Sequence, residues 1–592
     1  MAVRERGACN PRARRRRVAA SVAVLAALAV PAAAQAHGHG HHGRADVDHL
    51  VVIYQENHSF DNLYGQWEGV RGVRRAGPAH TIQVNQQGTP YECLLQNDVN
   101  LASPPLSPTC TDDTTGTVFT SHFPNAPFVI DDYIPASATT CPAPGMSAPT
   151  GVLNGTGLPG GCTRDLVHRY YQEQYQLNDG QQNRYVTGSD AVGLTMGVYD
   201  TRNLPIYQYL HRRGHPRYAI ADNFFQAAFG GSFLNHQWLI AAATPTWPNA
   251  LNDGSADDLH SVVDANGMPT SYPLYKSPAG DAVKDQALTA SCNPGPGRGP
   301  TPEGVTCGDY AVNTIQPFHQ PYAPNTPEAR RLPPQTHATI GDRLSEAHVS
   351  WAWYSGGWSN ANGDVGEPGW TNGTGPAAPT ATNPKPCPDP AANAAATWPN
   401  CPDKLFQFHH QPFNYFANYA PGKVARARHL RDEQEFLAQA AASSRRCRLE
   451  EVSFVKPIGA ENEHPGYASA TAGSSHLVDL LEAIEGSRCA KDTMVVVTYD
   501  EFGGQWDHVT PPGQGGKPGV ADFMGPGTRI PALVLHPRLR GRFVVDHTQY
   551  DTTSILATIE RRFRLAPLGP RDAAVNDLFD AFKRRGTGPD EN

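Results

Sequence analysis

The chain has 592 residues, 48 Lys and Arg against 56 Asp and Glu, and a formal net charge of -8. Hydrophobic residues make up 39% of it, enough for a large core, and its length exceeds what one ordinary core fills. The acidic balance and the lack of a long basic stripe argue against unspecific nucleic-acid binding.

Residues 1–36 read as a processing segment: a basic run at Arg12 and Arg14 to Arg17, an apolar core from Val18 to Val30, and Ala34-Gln35-Ala36 as a small-x-small cleavage site. The apolar run is shorter than the roughly twenty residues that cross a bilayer, so export is expected rather than a stable transmembrane anchor. The arginines suit a Sec or a twin-arginine route equally, and the mature protein is expected to be secreted or periplasmic. Removing the segment, with its seven arginines and one glutamate, takes the formal charge from -8 to about -14. Residues 37–46, opening on His37-Gly38-His39-Gly40-His41-His42-Gly43, read as a flexible terminus with no fixed ligand geometry.

His49 to Tyr54 is an apolar strand that runs into Gln55-Glu56-Asn57-His58-Ser59-Phe60-Asp61. In parallel α/β sheets ligands bind beyond the carboxyl ends of strands, so Glu56 and Asn57 stand where a metal or an anion would be met; capping of a following turn is the plainer alternative. Residues 66–160, 286–335 and 359–404 are rich in Gly, Pro, Asn or Thr and read as long loops. Between them, helices are predicted at Leu166 to Gln176 and Leu204 to Gly214, and strands at Ala219 to Phe224 and Val349 to Tyr354. Phe229-Gly230-Gly231-Ser232 leads into a helix-like run, which would set Ser232 at a helix N-terminus facing an incoming anion or make it a simple N-cap. Gly230-Gly231-Ser232-Phe233-Leu234 lacks the second glycine of a nucleophile elbow. His409-His410, in a Pro-containing segment, reads as loop structure.

Further on, Val452 to Val455 is a predicted strand, Ser474 to Gly486 a helix, Arg529 to Leu535 a strand and Thr552 to Phe563 a closing helix. Thr493 to Tyr499 is a β-branched strand that delivers Asp500-Glu501-Phe502-Gly503-Gly504-Gln505-Trp506-Asp507-His508 at its end. Alternating strands and helices over the last 150 residues or so indicate an α/β fold, in one catalytic domain over 47–570 with insertions and a tail at 571–592.

Of the eleven cysteines, Cys9 lies in the removed segment. The remaining ten suggest up to five disulfides. Cys292 with Cys307 and Cys387 with Cys401 close short loops, and Cys93, Cys110, Cys141 and Cys162 are expected to pair among themselves.

Gln55 to Asn62, Gly231-Ser232 with Asn235, Glu463-His464-Pro465-Gly466, Asp500 to Gly504 with Asp507-His508, and His547-Thr548-Gln549-Tyr550-Asp551 together resemble the phosphoesterase family. That family joins bacterial acid phosphatases to phosphatidylcholine-type phospholipases C, with a core like that of alkaline phosphatases. The resemblance implies an α/β, alkaline-phosphatase-like sheet flanked by helices. It makes Glu56, Asn57, Asp500 and Glu501 metal ligands and Ser232 the nucleophile, where the phospholipase branch usually carries threonine. It makes His168 and His464 phosphate-contacting or proton-transferring groups, with Asn235, His236 and His508 as further catalytic candidates. Asp507 and His508 have loop support as their alternative role. His236 stands where the family often has arginine, and Gly180-Gln181-Gln182-Asn183 replaces a frequent Gly-Lys-Met-Asp.

The implied cofactor is one divalent ion, and the oxygen-rich ligands favour Mg²⁺, Ca²⁺ or Mn²⁺ over Zn or Fe, the other two candidates. The implied activity is hydrolysis of a phosphate ester through a phosphoserine, foremost as an acid phosphatase. A phospholipase C acting on a phospholipid headgroup is the first alternative, and Trp351, Trp353, Tyr354, Trp358, Phe413, Tyr415 and Phe416 suit its apolar rim or, equally, the core and loop packing. A non-enzymatic carbohydrate-binding protein is the second. A sulfatase is disfavoured because Ser232-Phe233-Leu234-Asn235-His236 does not match the Cys/Ser-x-Pro-x-Arg context of a formylglycine.

Overall fold

In the computed structural model, the described residues are 47–247, parts of 262–371, residue 403 and 405–583. All of them belong to one compact unit. The expected leader at 1–36, the His/Gly run, the Cys292–Cys307 and Cys387–Cys401 pairings and residues 584–592 of the tail lie outside the described residues.

We label the strands of the central sheet β1 (His49–Gln55), β2 (Tyr218–Ala221), β3 (Trp351–Ser355), β4 (Leu430–Asp432), β5 (Val452–Lys456), β6 (Thr493–Tyr499), β7 (Ala532–Leu535) and β8 (Phe543–Asp546). They lie in the order β4-β3-β5-β1-β6-β7-β2-β8. β1 pairs in parallel with β5 and β6, β3 in parallel with β4 and β5, and β8 in parallel with β2. Only β7 runs against its neighbours in this sheet, pairing antiparallel with both β6 and β2. The fold is therefore a mixed α/β architecture on one large, mostly parallel sheet. β6 is buried along all its length and β1 at every position after His49, as expected of parallel strands covered on both faces, which read as continuous apolar runs rather than alternating ones.

The helices that bear on the site are α1 (Tyr170–Leu177), α2 (Pro205–His211), α3 (Ser232–Ala241), α4 (Glu433–Ala441), α5 (Ala470–Glu485) and α6 (Thr553–Phe563). α5 shows why such segments fold as helices. Ser469 caps it by accepting from the Ala472 amide at 3.0 Å, and Ala470, Gly473, Ser474, Leu477, Leu480, Leu481 and Ile484 form its buried stripe. α5 packs against α2 and α4, and α3 against α6. Asp551 accepts from the Thr553 amide at 2.7 Å and so fixes the start of α6.

Several predicted elements are displaced for identifiable reasons. The helix predicted from Leu166 begins only at Tyr170: residues 166–169 lie outside regular structure, with Arg169 extended at φ -113° and ψ 156°, and line a cavity. The strand expected from Arg529 starts only at Ala532: Pro531 has no N–H for the ladder, and the Arg529 side chain is drawn into ionic contacts. Phe224 leaves β2 and pairs, with Phe225, against Tyr550–Asp551 in a separate ladder. The Cys93–Cys110 and Cys141–Cys162 bonds pin the 66–160 loop as expected, and Cys447–Cys489 adds a third among the described residues.

The segments after β1, after β6 and before β7 are tied by a buried ionic network. Arg529 donates from Nη2 to Asp61 Oδ1 at 3.0 Å and from Nε to both Asp507 oxygens at 3.1 Å. The Asp61 amide donates to Asp507 Oδ2 at 3.0 Å, and His508 Nδ1 contacts Asp61 Oδ2. Arg529, Asp61 and Asp507 have no exposed side-chain surface, so each charge depends on the others. Removing one partner of such a pair costs about 3–5 kcal/mol because it leaves buried charge uncompensated. Arg529→Met is therefore expected to lose stability on that scale in denaturant unfolding, whereas a loss under about 1 kcal/mol would mean the network is not holding these segments.

Candidate active site

Because β1 and β6 are parallel and in register from His49↔Thr493 to Gln55↔Tyr499, the next residues of each emerge side by side. These are Glu56-Asn57 and Asp500-Glu501. The Asn57 amide donates to Asp500 Oδ1 at 3.2 Å, and the Asp500 amide to Gln55 O at 3.0 Å. Asn57 takes the left-handed region at φ 58°, which asparagine tolerates better than most residues. Gly503, at φ +63°, passes so close to Asn57 that an added Cβ would sit 2.2 Å from its carbonyl oxygen. A Cβ on Gly504, at φ +74°, would lie 2.5 Å from Val167 O. The glycine pair thus lets the 500–504 turn press against both the β1 loop and the segment that carries His168.

Ser232 is the first residue of the ten-residue helix α3, where backbone N–H groups point outward without intrahelical partners. Its Oγ donates to Glu56 Oε2 at 3.2 Å and lies 3.4 Å from Asn57 Oδ1. Asn57 Nδ2 is 2.8 Å from His464 Nε2 and 3.4 Å from His168 Nε2. His464 Nδ1 faces Pro465 O at 2.7 Å, and a carbonyl accepts only, so the proton sits on Nδ1 and Nε2 offers a lone pair to Asn57. His168 Nδ1 faces Leu166 O in the same way, leaving its Nε2 lone pair 3.6 Å from Glu501 Oε1. Ser232, His168, His464, His409 and His410 all line a cavity of about 380 Å³, with Arg164, Asp165, Arg169 and Asp190 among its other walls. The Arg164 guanidinium pairs with Asp98 at 3.6 Å and also with Asp190.

Not every sequence candidate reaches this cavity. Asn235 spends its side chain on the preceding turn: Oδ1 accepts from the Ala228 amide at 2.9 Å and Nδ2 donates to Ala228 O and Gly230 O at 3.1 and 3.2 Å. It shapes the approach to Ser232 without facing the cavity. His508 is not brought to the cavity either; it sits with Asp61, Asp507 and Arg529. His236 is fully buried beneath Ser232, with Nδ1 2.7 Å from Ser232 O and 3.8 Å from Asp500 Oδ2.

Two residues were missed or underrated by sequence reasoning. His410, read there as loop structure, stacks on His236 with centroids 4.8 Å apart and rings 1° from parallel, and its Nε2 is 3.1 Å from Glu56 Oε1. Lys456, the last residue of β5, has no exposed side-chain surface; its Nζ contacts Glu56 Oε1 and donates to Tyr54 O at 3.1 Å. A lysine ending an apolar strand beside a strand that ends in glutamate was the available signal.

The electrostatics of the centre are those of excess buried negative charge. Burial raises the pKa values of Glu56 and Glu501 well above the usual carboxylate range, with Asp500 adding to both, and raises Asp500 too, against the opposing pull of Lys456. Burial lowers His168, His236, His410 and His464, and Lys456 lowers the last three further. Glu463, next to His464 and bonded to the Tyr499 hydroxyl, is pushed by burial up to about 8.

Whether a cation fits can be tested on the donors themselves. Asp500 Oδ2, Glu501 Oε1 and His236 Nε2 are buried without a hydrogen-bond partner. Buried polar atoms are normally satisfied, and a carboxylate oxygen facing an imidazole lone pair is repulsive unless something positive lies between. The donor set therefore fits a metal ion, with Glu56, His236 and His410 forming a further close group of potential ligands.

Comparisons with known proteins point to phosphate ester hydrolysis. Phospholipase C B of Mycobacterium tuberculosis is 24% identical over 571 residues, covering 91% of this chain and 78% of its own. Phospholipase C A of the same organism is 34% identical over 162 residues, 24% of this chain and 31% of its own. Non-specific phospholipase C6 of Arabidopsis thaliana is 31% identical over 151 residues, 22% of this chain and 29% of its own. A solved structure described as a 2-O GAG sulfatase covers 67% of this chain and 73% of its own at 12% identity and a TM-score of 0.25, a likeness too slight to carry a fold argument. The Phosphoesterase family model matches residues 47–566, a span that takes in β1 with its acidic end, Ser232, His464 and the β6 loop, and the chain belongs to that family as a phosphoric ester hydrolase.

Proposed function

We propose that the protein is a metal-dependent phosphomonoesterase that works through a phosphoserine at Ser232. The observation that carries this reading is the position of Ser232 Oγ at the head of α3, beside Glu56 and Asn57 and open to a polar cavity that holds His168 and His464. Its place beyond the carboxyl ends of β1 and β6 in a mostly parallel sheet supports an alkaline-phosphatase-like form of the fold.

Glu56, Asn57, Asp500 and Glu501 would hold the divalent ion, which when bound supplies charge neutralisation and lowers the pKa of a nearby hydroxyl. The Ser232 hydroxyl passes its proton to Glu56 Oε2, the oxygen it donates to at 3.2 Å, and attacks phosphorus in line while the bond to the leaving oxygen breaks. Backbone amides at the start of α3 donate to the equatorial oxygens and stabilise their charge. Burial lowers the pKa values of His168 and His464 in the free protein. A bound phosphate dianion raises their proton affinity, so one of them takes a proton from solvent, gives it to the departing alkoxide and recovers one from the water that cleaves the phosphoserine, while Glu56 returns its proton to Ser232 Oγ. Lys456, whose Nζ contacts Glu56 Oε1, offsets part of the negative charge of the centre.

The aromatic residues proposed as a phospholipase rim, Trp351, Trp353, Tyr354, Trp358, Phe413, Tyr415 and Phe416, are all buried and belong to the core, which favours a small soluble ester over a lipid. A phospholipase C reading retains one supporting observation besides the names of its relatives. The segment that lends Pro149 and Thr150 to the cavity wall also exposes Met146, Leu153 and Leu158, where acyl chains could lie. No helix among the described residues is long and apolar enough to cross a membrane.

The deciding assay follows a phosphomonoester and a phosphocholine diester in parallel, with chelation and metal add-back. Faster chelator-sensitive turnover of the monoester is expected; preference for the diester would transfer the assignment to phospholipase C. Ser232→Ala is expected to lower kcat by at least about 10³-fold and to abolish the acid-stable phosphoprotein trapped by denaturation from wild type. Retention of that phosphoprotein would move the nucleophile elsewhere. Lys456→Met, which removes a preorganised charge, is expected to lower kcat about 10²-fold while the protein still binds its metal.

A further inference from the structure

Outside the cavity, a second group of metal-type donors lies where α4, α5 and the loop after β5 meet. Glu433 opens α4, His476 lies on α5, and Glu461 belongs to the loop that continues through Asn462 and Glu463 to His464. One donor atom from each lies within 4.8 Å of the other two. His476 Nε2 is 2.6 Å from Glu433 Oε1 and 3.7 Å from Glu461 Oε2, distances that bracket the roughly 3.3 Å between ligands around tetrahedral zinc. Glu433 is fully buried, and the second oxygen of its carboxylate, Oε2, has no hydrogen-bond partner, a costly state for a buried acceptor. The surroundings are acidic as well. Burial and the carboxylates of Glu433, Asp403 and Asp479 raise the pKa of Glu461, against the pull of His476.

We propose that Glu433, Glu461 and His476 form a second divalent-metal site, of zinc type, separate from the centre at Ser232. One imidazole and two carboxylates are a donor set that suits zinc better than the all-oxygen shells preferred by calcium or magnesium. The ion takes the place of the proton shared by His476 and Glu433, and that proton is released to solvent. Its consequence is mechanical. Asn462 O accepts from the Glu56 amide at 2.9 Å and Asn462 Oδ1 from the His464 amide at 3.1 Å, so an ion on Glu461 anchors to two helices the loop that supports both residues. Neither the binding nor this anchoring depends on which ester the enzyme cleaves.

The test is equilibrium dialysis of the full-length protein against Zn²⁺, comparing wild type with Glu461→Gln and His476→Ala. The His/Gly run at 37–43 and the Ser232 centre contribute equally to all three, so the difference isolates this site. Each variant is expected to hold one equivalent fewer than wild type and to lose part of the zinc-induced rise in Tm. Glu461 is 42% exposed at its side chain, so its amide variant folds even if the His476 variant does not. Equal zinc content in wild type and Glu461→Gln would overturn the proposal and leave the triad as an ion pair.

Discussion

The site depends on one constraint, the parallel register of β1 and β6. Seven consecutive residue pairs align the two strands, and because both run the same way, their acid-bearing ends leave the sheet at the same edge. A shift of one residue would turn every side chain to the other face and separate Asn57 from Asp500. Ladder hydrogen bonds and burial on both faces of the sheet therefore fix the distance between carboxylates that come from opposite ends of the chain.

That arrangement concentrates negative charge where water cannot screen it, and the protein answers with two buried cations of different character. Lys456, a compact point charge at the end of β5, sits against Glu56 inside the centre. Arg529, with its planar fork, joins Asp61 to Asp507 behind it and also lies 4.3 Å from the Phe60 ring centroid. The lysine compensates part of the centre's charge without closing it, leaving Asp500 Oδ2 and Glu501 Oε1 unsatisfied. The arginine, together with His508 and backbone amides, satisfies its carboxylates and so makes a structural tie.

Much of this was legible in the sequence because it is local. The apolar runs at His49 to Tyr54 and Thr493 to Tyr499, the Gly-Gly-Ser turn ahead of a helix and the acidic residues at strand ends are patterns of neighbouring residues, and the sheet and the positions of Glu56, Asn57, Asp500, Glu501 and Ser232 followed them. Residues whose surroundings come from elsewhere were not legible. The rim aromatics proved to be core, since a tryptophan on a buried parallel strand looks the same in sequence as one at a surface. His410 reached Glu56 from an irregular segment with no periodicity to orient it, and Asn235 turned toward its own backbone.

The sequence by itself therefore determined the elements, the family and the kinds of chemistry available, because hydrophobic periodicity, turn residues and ordered motifs act over short distances. The tertiary structure alone decided which groups meet: Lys456 with Glu56, His410 with His236, Arg529 with Asp61 and Asp507, and Glu461 with His476. Strand order, 4-3-5-1-6-7-2-8 across the sheet, brings Lys456 to Glu56 and Arg529 to its aspartates, the packing of loops on helices brings the other two pairs together, and both arise from long-range packing that no local pattern encodes.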